Sequence, residues 1–271
     1  MRTDDGIKDE VLIRTNSIPT YFAADIAYHY DKFIKRGFTK AINVWGADHA
    51  GHIPRMKIAM KNMGINPDRL EIITIQLVRL MRDGQIARMS KRKGDTISLG
   101  DLIEEIGVDN ARFFFNMRNA NSPFDFDLDL AVKQSNENPV FYVQYAHARI
   151  CSILEHSRYM CEQVVETLST KKNVLNYGYN TIYERALIRK IAMYPREIIE
   201  ATRLREPSSI TSYLRDLASE FHSFYSACPV NNADCDDIRF ARLVLVQATK
   251  QTIKNALNAL GISAPNKMDK L

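Results

Sequence analysis

The sequence holds no run near the roughly 18 consecutive apolar residues that a membrane-spanning helix needs. It also holds no Cys-x-x-Cys pair. The four cysteines, Cys151, Cys161, Cys228 and Cys235, fit neither a zinc knuckle nor a dithiol redox motif, and they read as reduced thiols packed on helices. The first ten residues, MRTDDGIKDE, lack the apolar core of a secretory signal and the Arg/Ser-rich pattern of a transit peptide. The cytoplasm is therefore the expected compartment. Intrinsic disorder is excluded by composition, because 45% of the 271 residues are apolar and 25% are charged. Such a chain can bury a core without disulfide staples or a structural metal, and its length suggests one or two domains.

Charge is spread unevenly. The net charge is +5, yet residues 51–100 hold ten Lys/Arg against four Asp/Glu, while residues 101–150 hold four against eight. A basic window is either a solvated face or a region that handles phosphate. The spacing of the cations has to separate the two.

Two periodicities alternate over the first 90 residues. Val11–Arg14 reads as a short strand, Tyr21–Ile34 as a helix ending near Gly37, and Ala41–Trp45 as a strand followed by Gly46. A helix from about Pro54 to Met63 follows, closed by Gly64, and then Leu70–Val78 reads as a buried strand. Alternating strands and helices predict βαβ units with a parallel sheet, but three strands are too few for a complete doubly wound domain. Beyond Asp101 the pattern is helical. Ser98–Ile106 and Asn110–Met117 are short helices, and NSPFDFDLDL over 121–130 reads as an irregular linker. Asn138-Pro139 opens a long helix with Val143, Ala146, Ile150 and Leu154 on its core side. Lys171–Asn180 reads as a loop. A helix carrying Leu187, Ile191, Tyr194, Ile198 and Ala201 is expected to kink or divide at Pro195, and Ile210–Tyr225 and Ile238–Leu260 supply two more.

The densest chemistry lies in Ala87–Gly94, ARMSKRKG, which follows a strand and the turn-forming Asp83-Gly84. Arg88, Lys91, Arg92 and Lys93 on one exposed loop suit a polyphosphate that must be gripped and released. A plain basic surface loop is the alternative on charge alone. Met89-Ser90-Lys91 within Arg88–Arg92 resembles the KMSKS signature of class I aminoacyl-tRNA synthetases. Further blocks resemble the arginyl-tRNA synthetase family in order. They are Thr20–Tyr28 (TYFAADIAY), Trp45–His49 (WGADH) with Pro54-Arg55, Gln76-Leu77-Val78, and Asn138–Arg149 (NPVFYVQYAHAR). The resemblance runs from about residue 11 to the C-terminus.

That resemblance implies roles for particular residues. Lys91 takes the place of the signature lysine that stabilises the adenylation transition state, with Ser90 and with Arg88 in place of the first lysine. Tyr21 and Asp25, four residues apart on one helix face, and His49 would hold the substrate arginine; a carboxylate beside an aromatic ring clamps a guanidinium well. Read without the family, Asp25 is a solvated helix residue. Gly46, Asp48, His52, Gln76, Met89 and Lys91 would face ATP, although Asp48 and His52 are equally placed to cap the following helix. Magnesium would accompany ATP, with no protein ligand assignable; Asp125, Asp127 and Asp129 read as a solvated linker before they read as a metal site. Tyr142, Tyr145 and Arg149, spaced i, i+3, i+7, would touch the anticodon loop of tRNA(Arg), together with Phe224 or Tyr225 and with Met268. Packing against a neighbouring helix is the alternative for both tyrosines.

His49-Ala50-Gly51-His52 spells HxGH, the other class I signature, but it lies in the WGADH block about 40 residues before the KMSKS-like loop. We read that match as accidental. The expectation is thus a C-terminal portion of a longer synthetase, cut by design in preference to naturally. It has a partial Rossmann-like α/β catalytic domain over 1–120, a linker over 121–137 and an all-α anticodon-binding bundle over 138–271. The expected activity of the whole is ATP-dependent ligation of arginine to tRNA(Arg), with this piece inactive by itself. A non-catalytic tRNA-binding or regulatory module, and a class I synthetase for another amino acid, are the rivals. No feature of the sequence sets an oligomeric state.

Overall fold

The computed structural model describes residues 9–87, 97–157 and 179–268. They form two compact units. One holds the chain up to Val78 together with Ala120–Phe124, and the other holds Arg79–Asn119 together with the chain from Asp125 onward.

In the first unit, helix α1 (Tyr21–Tyr30) is opened by Thr20, whose hydroxyl oxygen accepts from the Ala23 N–H at 3.3 Å. A π-helical turn, Asp31–Lys35, extends it, and Gly37 at φ 70° ends the run. Strand β1 (Ala41–Gly46) leads through a 3₁₀ segment, Ala47–His52, into α2 (Ile53–Asn62), whose Pro54 sits where the first-turn N–H has no helical partner. Strand β2 (Leu70–Ile75) pairs parallel with β1, from Ala41 opposite Leu70 to Gly46 opposite Ile75. This is the βαβ unit the periodicity predicts. Phe22, Phe33, Met56, Met60, Ile65 and Leu70 form its core.

Two expectations need correction here. Val11–Arg14 is not a strand: an isolated bridge joins Ile13 to Pro19, and the segment folds back on itself through the Arg14 N–H to the Ile18 carbonyl and the Thr20 N–H to the Leu12 carbonyl. The run Leu70–Val78 also breaks after Ile75, where the Gln76 N–H turns to the Ala120 carbonyl at 2.9 Å.

The second unit begins with a hairpin of β3 (Val78–Arg82) and β4 (Gln85–Ile86), in which Met81 faces Ile86 and Arg82 faces Gln85. Its two-residue turn is Asp83-Gly84, with φ of 50° and 70°. That geometry matches the twist of paired strands and explains the Asp-Gly sequence. Helices α3 (Leu99–Ile106) and α4 (Val108–Asn116) follow, the first opened by a reciprocal Ser98–Asp101 capping box. Residues 121–130 are not an irregular linker. They contain strand β5 (Phe124–Asp127), which lies beside β3, and run into helix α5 (Leu128–Val132). Phe124, Phe126 and Leu128 point into the core.

Among the described residues four long helices follow in this unit: α6 (Pro139–Glu155), α7 (Ile182–Leu204), α8 (Ser208–Ala227) and α9 (Asp236–Ala259). Asn138 opens α6 by accepting from the Val140 N–H at 3.0 Å while its amide donates to the Ala131 and Lys133 carbonyls. The predicted core positions Val143, Ala146, Ile150 and Leu154 are all buried. Pro195 does not divide α7, which is one helix of 23 residues. The proline lies on the exposed side, where water can take the carbonyl it leaves unbonded. Among the described residues no helix is long and apolar enough to cross a membrane.

Candidate functional site

In the first unit the predicted small-molecule residues gather around the carboxyl end of β1, the usual ligand side of a parallel sheet. Tyr21 stands on the first turn of α1, 88% exposed. One turn on, the Asp25 carboxylate lies 3.6 Å from His52 Nε2. The His52 ring is boxed by Phe22 at 4.8 Å, edge-on, and by Trp45 at 5.5 Å. The result is an aromatic wall with a carboxylate at its rim, a fitting place for a planar cation. His49 is not part of that contact; it is exposed and its Nε2 lies 3.6 Å from the Asp48 carboxylate. The structure therefore joins Asp25 to His52, and joins His49 to Asp48. At Gly46 a methyl group would collide with Asp48 Oδ1, so the bare backbone is what lets Asp48 fold back. Gln76 is half-buried at the break after β2.

Beneath Asp25 lies a pair that sequence reasoning missed. His29 is buried, its Nδ1 donates to the Asp25 carbonyl at 2.7 Å, and its Nε2 accepts from the Asn43 amide at 2.8 Å. These bonds tie α1 to β1 directly under the rim carboxylate. The available signal was Asn43, a polar residue facing inward in an otherwise apolar strand.

Arg88, Met89, Ser90 and Lys91 lie outside the described residues. The hairpin that leads to them is well anchored. Arg79 makes a two-point ion pair with Asp125 at 2.7 and 2.9 Å, Arg82 pairs with Glu105, and the Asp83 N–H donates to Asp129 at 2.7 Å. Asp127 caps α5 through the Leu130 N–H. All three aspartates of the FDFDLD run thus hold protein groups.

The predicted RNA-facing residues converge on α6, α8 and the segment after α9. Tyr145, Arg149, Tyr225 and Met268 line one cavity of about 560 Å³, together with Glu155, Asn231 and Lys267. Arg149 donates to the Tyr145 hydroxyl at 3.1 Å, and its guanidinium lies 4.7 Å from the Tyr225 ring centre. Tyr142 is half-buried and does not line the cavity; its ring lies 5.1 Å from that of His222. Both tyrosines therefore pack on a neighbouring helix, and Tyr145 also lines the cavity. Phe224 is a correction: it is fully buried, so its ring belongs to the bundle core and only Tyr225 of that pair reaches the surface. Asn231 keeps a buried side-chain oxygen without a partner at the cavity wall.

Met268 reaches the cavity because the chain after α9 is strapped along α6. The Ser263 N–H donates to Asp109 at 3.1 Å, Gln144 donates to Asp109 at 2.8 Å and to the Ser263 carbonyl at 3.0 Å, and His147 Nδ1 bonds the Pro265 carbonyl at 2.9 Å. Burial holds the His147 imidazole below the usual histidine range, with Lys250 and Lys254 adding to the effect and the Pro265 bond opposing it. Gly261 at φ 68° makes the turn into this strap.

This bundle matches a known class of RNA-binding module, for residues 143–268 fit the DALR anticodon binding domain. Beyond that module, almost the whole chain is similar in sequence to part of known arginine–tRNA ligases. It is 55% identical over 261 residues to the arginine–tRNA ligase of Ruminiclostridium cellulolyticum, and 53% identical over 261 residues to that of Acetivibrio thermocellus. Each match covers 96% of this chain and 45% of the relative, so the chain spans less than half the length of the curated relatives it matches. A solved structure from Campylobacter jejuni superposes with a TM-score of 0.83 at 35% identity, over 96% of this chain and 55% of that one. The Thermus thermophilus arginyl-tRNA synthetase shares the fold, with a TM-score of 0.79 at 23% identity, over 97% of this chain and 52% of that one.

Proposed function

We propose that the chain serves arginine–tRNA ligation, the ATP-dependent activation of arginine and its transfer to tRNA(Arg). The observation that carries this reading is the cavity rimmed by Tyr145, Arg149, Tyr225 and Met268 inside the anticodon-binding match. Aromatic faces beside a guanidinium stack unpaired bases and hold the phosphates that join them, which is how single-stranded RNA loops are read. In this reading residues 138–271 dock the anticodon loop, 121–137 join the parts, and 1–120 belong to the catalytic domain.

Activation joins the arginine carboxylate to the α-phosphate of ATP and releases pyrophosphate. Tyr21 and Asp25 grip the substrate guanidinium, with His52 behind Asp25 and His49 nearby in sequence. Gly46 and the turn through Asp48 approach adenosine, with Gln76 just past the end of β2. Lys91, Ser90, Met89 and Arg88 carry the signature loop, where cations offset charge that develops on the leaving pyrophosphate. Magnesium comes with the nucleotide. The cytoplasm is the matching compartment.

The test is binding of this chain to a fluorescent tRNA(Arg) anticodon stem-loop, with a stem-loop of unrelated anticodon as control. Preference for the first supports the reading, and equal binding or none refutes it. Arginine-dependent exchange between pyrophosphate and ATP, measured on the same chain, should be absent. Exchange at enzyme-like rates would show that this span alone makes adenylate.

A further inference from the structure

Besides Asn231, a second polar group near this surface has no hydrogen-bond partner among the described residues. His222 on α8 has its Nε2 shielded from solvent with no hydrogen bond, an arrangement that costs stability without structural return. Its ring joins two arms of aromatic side chains. Along α6 it meets Tyr142 at 5.1 Å and Tyr145 at 6.3 Å, the latter within 26° of parallel, and Tyr145 in turn stacks on Phe141. Along its own helix it meets Phe221 at 5.5 Å, and Phe221 stacks on Tyr225 at 6.0 Å. Arg149 closes the circuit, bound to the Tyr145 hydroxyl and lying over Tyr225.

We propose that His222 is a positioning residue for RNA binding, whose uncharged ring sets Tyr142, Tyr145 and Tyr225 at the angles that stack bases. This rests on the anticodon-loop reading above. A phenylalanine would keep an aromatic plate at the same position without the unpartnered nitrogen. The imidazole differs in one respect, which is that it can take up a proton. Among the described residues, the charge that acts on the ring is the Arg149 guanidinium on α6. Burial first, and Arg149 second, hold the imidazole below the usual histidine range, so it is neutral at neutral pH. A proton on His222 would place a second cation among the rings beside Arg149. The two charges would move apart and take the tyrosines with them.

The test uses the 271-residue chain and the fluorescent tRNA(Arg) anticodon stem-loop, titrated from about pH 7.5 down to about pH 5. Wild-type affinity should fall by about tenfold, the loss of one base–aromatic stack. His222→Phe should bind within about threefold of wild type at neutral pH and lose most of the pH dependence, since the plate remains without the proton. His222→Ala removes the plate and should weaken binding about tenfold at every pH. A His222→Phe profile that parallels wild type overturns the proposal alone, whatever happens to the alanine variant. Absence of wild-type binding at any pH overturns the anticodon reading and this inference with it.

Discussion

The Arg149 guanidinium lies 4.7 Å from the centre of the Tyr225 ring and also holds the Tyr145 hydroxyl at 3.1 Å, so one cation organises aromatics from two helices. Tyr225→Ala should reduce binding of the tRNA(Arg) anticodon stem-loop by about 1–3 kcal/mol, the worth of one base stack. Tyr225→Phe should cost far less, because the face is kept. Arg149→Lys keeps the charge but loses the planar fork, and should bind less tightly than wild type while retaining its salt dependence. Arg149→Ala should lower the salt slope by about one if the guanidinium meets a phosphate. Anisotropy titrations at several salt concentrations read all four outcomes.

Gly46 offers a way to separate ligand from fold. Its φ of −63° and ψ of 147° suit any residue, and the Asp48 carboxylate that a methyl would meet is exposed and free to swing away. Gly46→Ala should therefore change unfolding free energy by no more than about 0.5 kcal/mol. ATP binding should weaken if adenosine approaches this backbone. A loss of stability would show instead that Asp48 cannot move.

How far the sequence shows this architecture depends on whether a feature is local. Helix α6 is legible because Asn138-Pro139 and its 3–4 apolar spacing are all contained within it. The turn at Asp83-Gly84 is legible for the same reason, although the two strands it joins are not. The break after Ile75 is not, since the Gln76 N–H bonds a carbonyl 44 residues away, at Ala120. The FDFDLD run misleads in a different way. Its strict alternation is a strand signal, but the aspartates suggest a linker until Arg79 and the Asp83 N–H are seen to hold two of them. The candidate site divides similarly. Tyr145, Arg149, Tyr225 and Met268 are found from resemblance and share one cavity, whereas Phe224 fails because family position says nothing of which neighbour in a helix faces inward. His222 was invisible, because its meaning comes from contacts between α6 and α8.

A buried ion pair gives the clearest stability prediction. Glu184 has no solvent exposure, its Oε1 accepts from Arg242 Nε at 2.8 Å, and its other oxygen accepts from the Thr181 N–H at 3.0 Å. Arg242 also donates to the Pro229 carbonyl at 2.7 Å. Glu184→Ala would strand a largely buried guanidinium and remove a helix cap, so it should cost about 3–5 kcal/mol. Glu184→Gln keeps the cap and should cost less. Urea unfolding separates the variants, and an alanine variant within about 1 kcal/mol of wild type would mean that water reaches Arg242.

The same bundle should lose stability on mild acidification. His147 and His222 both sit below the ordinary histidine value in the folded chain, chiefly through burial. An unfolded chain therefore binds more protons than the folded one once pH drops past the unfolded value of about 6.5, and unfolding becomes easier down to the folded values. Above that window the contribution is fully present. Carboxylates titrate lower and affect wild type and variants alike, so the comparison must be internal. In the double variant His147→Asn, His222→Phe, asparagine can still donate to the Pro265 carbonyl and neither site can take up a proton. Its urea midpoint should fall less than that of wild type between about pH 7 and pH 5. Parallel falls would show that neither imidazole is neutral for want of solvent, and that their burial is compensated elsewhere in the bundle.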